Sequence, residues 1–230
     1  MMAAFVLGVL SSILATMILV LVGWVRSSRP RWWLVALLAR LTGTGVRRVY
    51  HRQESAEKDL AEELTQARWV GVLTGRGNTL TRDVFAPLWS KTTGRVESVQ
   101  ILLPDPDAVP GEWLTLRAAE LEPIDPGITT DLLRDQIRAN TSYLASVAKS
   151  REEVELRRFD LPHLYRVVAT DRAAYITFYD RRKHGRHSPC LYVRAPGVLY
   201  EAALHFFSIT WAGSRPVPPA QDLDPQEQNR

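Results

Sequence analysis

The sequence predicts an α/β fold, a single layered domain with a mixed sheet flanked by helices, preceded by one transmembrane helix. Three observations carry this reading. An uncharged apolar run fills residues 3–25. Beyond it, stretches of helical spacing and of strand-like alternation follow one another over residues 69–211. Charge is also divided. Residues 1–52 hold seven arginines and no acid, whereas residues 53–230 hold the other 22 Lys and Arg against all 25 Asp and Glu. The net charge of +4 over 230 residues therefore belongs to the N-terminal segment, and a basic nucleic-acid-binding globule does not follow from it. The single cysteine, Cys190, excludes an intramolecular disulfide framework and a multi-cysteine metal site.

As a helix, residues 3–25 would extend about 34 Å, more than the roughly 20 residues a bilayer crossing needs. A cleaved signal peptide would instead show a basic start and a shorter apolar core. Arg26, Arg29, Arg31, Arg40, Arg47, Arg48 and Arg52 all follow the run. The positive-inside bias then predicts a single-pass protein of the cell membrane, its N-terminus outside and its main domain cytoplasmic, with the lipid bilayer as a partner. Ala4, Gly8, Ser12 and Thr16 recur every fourth residue, a stripe that suits self-association in the membrane. Residues 32–46, opened by Trp32 and Trp33, read as an interfacial helix, with a second span as the alternative.

The expected organisation is an anchor over 1–26 and a basic juxtamembrane segment with connecting helices over 27–68. The cytoplasmic domain follows over 69–214, then a disordered tail over 215–230. Within the domain, Trp69–Leu73 is a short apolar strand and Thr81–Lys91 a helix. Ser98–Leu103 is an aliphatic strand, ended by Pro104, Pro106 and Pro110. Helices are expected at Glu112–Leu121 and Asp131–Ser150, the latter with Leu133, Ile137 and Leu144 on one face. Val154–Phe159 alternates like a half-buried strand. Tyr165–Ala169 and Ala173–Tyr179 have hairpin spacing. Cys190–Arg194 is a further strand and Tyr200–Trp211 an amphipathic helix.

This layout, with Leu73-Thr74-Gly75-Arg76-Gly77-Asn78 after one strand, Leu102-Leu103-Pro104-Asp105-Pro106 after another, and Leu164 through Asp171 later, resembles one half of a phospholipase D superfamily domain. The resemblance covers roughly Trp69–Trp211. In the family's H-x-K-x4-D motif, Asp171 matches the aspartate, Arg166 replaces the lysine, and Leu164 stands in place of the nucleophilic histidine. Leucine offers no ring nitrogen to form the phosphohistidine, and the neighbouring His163 would point to the opposite face of a strand. The resemblance thus implies a domain without that catalysis but with an anion pocket, in which arginine is an apt replacement because its fork bonds two phosphate oxygens.

The candidate ligand-binding residues are Gly75, Arg76, Gly77, Asn78, Arg117, Arg166, Asp171, Lys183, Arg186 and His187. Gly75–Asn78 reads as a strand-to-helix loop whose N–H groups approach an anion, or as an ordinary turn. Asp180–Ser188 is a cationic loop that would grip a phosphate, or a solvated hairpin. Arg117 and Glu120 would pair one turn apart. No catalytic residue, metal or cofactor is assigned. The function expected is a membrane-anchored, non-catalytic ligand-sensing or signalling module that binds a phosphorylated small molecule, with no nucleic acid duplex as partner. The alternatives are a membrane-bound phosphodiesterase or hydrolase using His163, His184 or His187, and a structural protein-binding scaffold.

Overall fold

A computed structural model describes residues 37–218, apart from 40, 82, 90–95, 109–111 and 163. Eight strands form one mixed sheet in the order β1-β7-β6-β5-β2-β3-β4-β8. The strands are β1 (Val46–Tyr50), β2 (Trp69–Leu73), β3 (Ser98–Pro104), β4 (Val154–Phe159), β5 (Tyr165–Thr170), β6 (Ala173–Phe178), β7 (Cys190–Arg194) and β8 (Arg215–Pro216). The helices are α1 (Glu57–Leu64), α2 (Ala86–Trp89), α3 (Glu112–Leu121), α4 (Thr130–Lys149) and α5 (Val198–Ala212). Short 3-10 turns occupy Gln53–Ala56, Asp83–Phe85 and Gly185–His187.

Two pairing modes meet at β2. It runs parallel to β3, which runs parallel to β4, while β5, β6, β7 and β1 continue the sheet antiparallel. Helices cover both faces, so the central strands are buried almost throughout. On one face Val70, Val72, Ile101 and Val168 pack with Leu60 and Leu64 of α1, Leu88 of α2 and Leu144 of α4. On the other, Leu73, Leu102, Val167 and Ala174 pack with Tyr200, Ala203 and Phe207 of α5. A third cluster joins Leu114 and Leu121 of α3 to Leu133 and Ile137 of α4. The α4 helix begins where the Thr129 side chain accepts a hydrogen bond from the Leu132 N–H, an ordinary N-cap. Gly71 lets α5 approach β2: a Cβ there would lie 2.6 Å from Trp69 and 3.0 Å from Phe207.

Several expectations are corrected. Among the described residues no helix is long and apolar enough to cross a membrane. Residues 3–25, to which the sequence assigns that helix, and the stripe of Ala4, Gly8, Ser12 and Thr16 lie outside the described residues. The transmembrane part of the fold class, the single-pass localisation and the lipid partner are therefore not carried further. Val46–Tyr50, assigned to a connecting segment, is a strand, and α1 beyond it packs into the main core. Arg215–Pro216, assigned to the tail, pairs with β4. The helix expected over Thr81–Lys91 is a 3-10 turn followed by the four residues of α2.

Candidate functional site

The antiparallel step from β2 to β5 and β6 brings three chain segments to one end of the sheet. Leu73 is paired with Val167, and Tyr165 with Phe178. The loop after β2, the start of β5 and the residues just after β6 therefore adjoin. Between them, α3, the Gln53–Ala56 turn and the Gly185–His187 turn enclose a cavity of about 630 Å³. That volume suits a small-molecule site.

Arg166 forms the floor. It points inward from β5, is 4 % exposed, and its Nε has no hydrogen-bond partner among the described residues. Its guanidinium carbon lies 5.6 Å from the centre of the Phe85 ring. Burial, the largest influence, lowers its pKa, and Tyr179, Cys190 and Glu57 act in the opposite sense. The group nonetheless stays protonated, since an arginine starts far above neutral pH.

Arg76 forms a second cationic wall. Its Nη1 donates to Gln136 at 3.0 Å. Burial again lowers its pKa, and the neighbouring Arg117 adds to that lowering. The loop carrying it is held from α4: Asn140 Nδ2 donates to the Arg76 carbonyl and to Asn78 Oδ1. Gly77 adopts φ +79°, where a Cβ would meet Leu103 Cδ2 at 3.0 Å. The loop continues into a turn, with the Leu80 N–H donating to the Gly77 carbonyl at 2.8 Å, so no helix N-terminus faces the cavity here. That corrects the strand-to-helix reading of Gly75–Asn78.

Arg117 lines the cavity but also builds it. It pairs with Glu120 at 3.1 Å and donates to the carbonyls of Asp180 and Lys183 at 3.1 and 2.9 Å. These bonds fix the 180–183 loop to α3. The opposite flank is the Gly185–His187 turn, which presents Arg186 and His184. His184 Nε2 faces Asp125 at 3.6 Å, and His187 Nε2 faces Glu54 at 3.8 Å. Burial, followed by the nearby Arg76, lowers the pKa of His184, so its imidazole is neutral at pH 7.

Of the residues singled out from sequence, Gly75, Arg76, Gly77, Asn78, Arg117, Arg166 and Arg186 line this one cavity. Asp171, Lys183 and His187 are not among its lining residues. Asp171 lies in the β5–β6 turn and accepts from the Arg68 N–H at 2.9 Å. Arg166 and Asp171 are separated along β5 by roughly 16 Å at the usual rise per residue, so the motif-like residues do not converge. Lys183 pairs with Asp180 at 2.9 Å. Leu164 is 59 % exposed, and His163 is outside the described residues. Sequence reading missed Tyr179, Asp125, Gln136 and Asn140. Gln136 and Asn140 leave a trace: two amides one turn apart, beside the apolar stripe of α4.

No family model matches the chain, and no curated protein matches it. Among solved structures the chain is similar to that of TrmBL2, described as an archaeal chromatin protein with a novel mode of DNA binding. The identity is 16%, the match covers 89% of this chain and 68% of that one, and the TM-score is 0.43. The fold class is corrected to what the described residues show, an α/β fold with one large mixed sheet, and the phospholipase D-like domain behind a transmembrane helix is not carried further as its description. The expectation of no nucleic acid duplex among the partners, like that of a lipid partner, is not carried further.

Proposed function

We propose that this domain is a non-catalytic binding module for a small molecule carrying a phosphate group, seated on Arg166 with Arg76 and Arg186 around it. The observation that carries this reading is Arg166 itself. A guanidinium that is 4 % exposed, with Nε unpartnered among the described residues, bears the cost of lost hydration without the full set of bonds that would offset it. A phosphate entering the cavity supplies those bonds, two at a time, to a planar fork. Binding to the folded state alone would stabilise it by about 2.7 kcal/mol at a hundredfold excess over Kd.

Thermal denaturation of the full chain with inorganic phosphate and a panel of phosphate monoesters tests this. A concentration-dependent rise in Tm that disappears in Arg166→Met supports the reading. No rise with any phosphate compound, or a rise that Arg166→Met leaves intact, overturns it.

The His184–Asp125 approach favours a second reading, hydrolysis of a phosphodiester with His184 as base. The 3.6 Å separation is longer than a hydrogen bond, which weighs against it. Turnover of a generic phosphodiester that is lost in His184→Ala would promote it over binding alone.

A further inference from the structure

The cavity is not uniformly basic. Its lining sets the carboxylates of Glu54, Glu57 and Asp125 among four arginines. A polyphosphate or nucleic-acid backbone would press several negative charges against those carboxylates. Such ligands gain far less here than a ligand with a single anionic group. The lining also offers little to an aromatic base. Leu114, Leu121 and Leu133 border the cavity but are only 1, 2 and 1 % exposed. The Tyr179 ring has Gly185 against its edge, where an added Cβ would lie 2.7 Å from Cε1, and the Arg117 guanidinium 5.8 Å from its centre.

What remains is a mixture of polar acceptors and donors. Asp125 is 44 % exposed, and its nearest basic partner, His184, stands beyond hydrogen-bond distance. Gln53 and Thr74 add neutral polar groups to the wall. Hydroxyl groups suit such a surface, because each donates one hydrogen bond while accepting others.

We propose that the ligand is a sugar phosphate or other small polyol monophosphate, its phosphate at Arg166 and its hydroxyls donating to Asp125. This rests on the phosphate-binding reading above and adds to it the chemistry of the rest of the ligand.

Calorimetric titration of the full chain with inorganic phosphate, ribose 5-phosphate, glucose 6-phosphate and ATP provides the test. At least one sugar phosphate is expected to bind tenfold or more tightly than inorganic phosphate, and ATP more weakly than that sugar phosphate. Asp125→Asn turns one of the two acceptor oxygens into an N–H donor, leaves the remaining oxygen a weaker, uncharged acceptor, and removes a repulsive charge. It is expected to weaken the sugar phosphate several-fold while tightening inorganic phosphate, a reversal that general unfolding would not produce. Equal affinities for phosphate and both sugar phosphates, tighter binding of ATP, or a same-sign response to Asp125→Asn would overturn the polyol assignment and leave phosphate binding standing. Failure of every phosphate compound to bind would remove both.

Discussion

Asn140 reaches from α4 to the loop after β2, where its Nδ2 donates to the main-chain carbonyl of Arg76 at 2.7 Å. The same nitrogen donates to Asn78 Oδ1 at 2.6 Å. The contact ties the long helix to the segment that sets the second cationic wall of the cavity. Asn140→Ala removes both bonds, at about 1 kcal/mol each. We expect a stability loss of about 1–2 kcal/mol by urea denaturation and weaker phosphate binding by calorimetry, because Arg76 loses its fixed backbone position. Unchanged affinity together with reduced stability would show that the loop's placement does not matter to the ligand.

Arg166 gives a prediction of opposite sign. In the absence of ligand, Arg166→Met replaces a buried cation, whose Nε lacks a partner among the described residues, by an apolar chain of similar length. The ligand-free variant is expected to be more stable than the parent, by about 1 kcal/mol or more, while losing its response to phosphate. A destabilised variant would mean that the guanidinium is better satisfied in the fold than its surroundings suggest.

The strands and helices were largely legible from periodicity, and the reason is burial. Val154–Phe159 and Tyr165–Thr170 alternate or run apolar because α5 and α4 cover the sheet, so packing writes itself into the residue pattern. Val46–Tyr50 escaped because it is an edge strand. Its Arg47 and Arg48 face solvent, and a basic edge looks the same in sequence as a basic tether. Within the site, Arg76, Arg166 and Arg186 were legible as cations on loops and at a strand start. Tyr179, Asp125 and Asn140 were not, since only the antiparallel β2–β5–β6 arrangement and the α3–α4 packing bring them together. Asp171 shows the converse: its spacing from Arg166 fitted a motif, yet a strand's length separates the two.

Gly77 tests the loop conformation directly. Its φ of +79° is costly for any side chain, and an added Cβ would sit 3.0 Å from Leu103 Cδ2 and 3.4 Å from Asn140 Cβ. Gly77→Ala is expected to cost about 1–2 kcal/mol from the backbone alone. It should also displace Asn140, so that combining it with Asn140→Ala costs less than the sum of the two single changes. Strict additivity in a double-mutant cycle by urea denaturation would show that the two positions are uncoupled.

His184 sets an acid limit on stability. Burial holds its folded-state pKa below the ordinary value of 6.5, with Arg76 pushing the same way and Asp125 opposing. The folded protein therefore binds this proton less readily than the unfolded chain does. By linkage, the stability tied to the neutral ring is fully present above about pH 6.5 and is lost as pH falls through the lowered folded-state value. Urea midpoints measured at pH 7.5 and 5.5 should fall on acidification in the parent and fall less in His184→Gln. Because Arg76 is among the causes of the shift, Arg76→Gln should also shrink the difference, while carboxylates elsewhere affect both proteins alike. An equal fall in parent and His184→Gln would place the acid sensitivity on other groups.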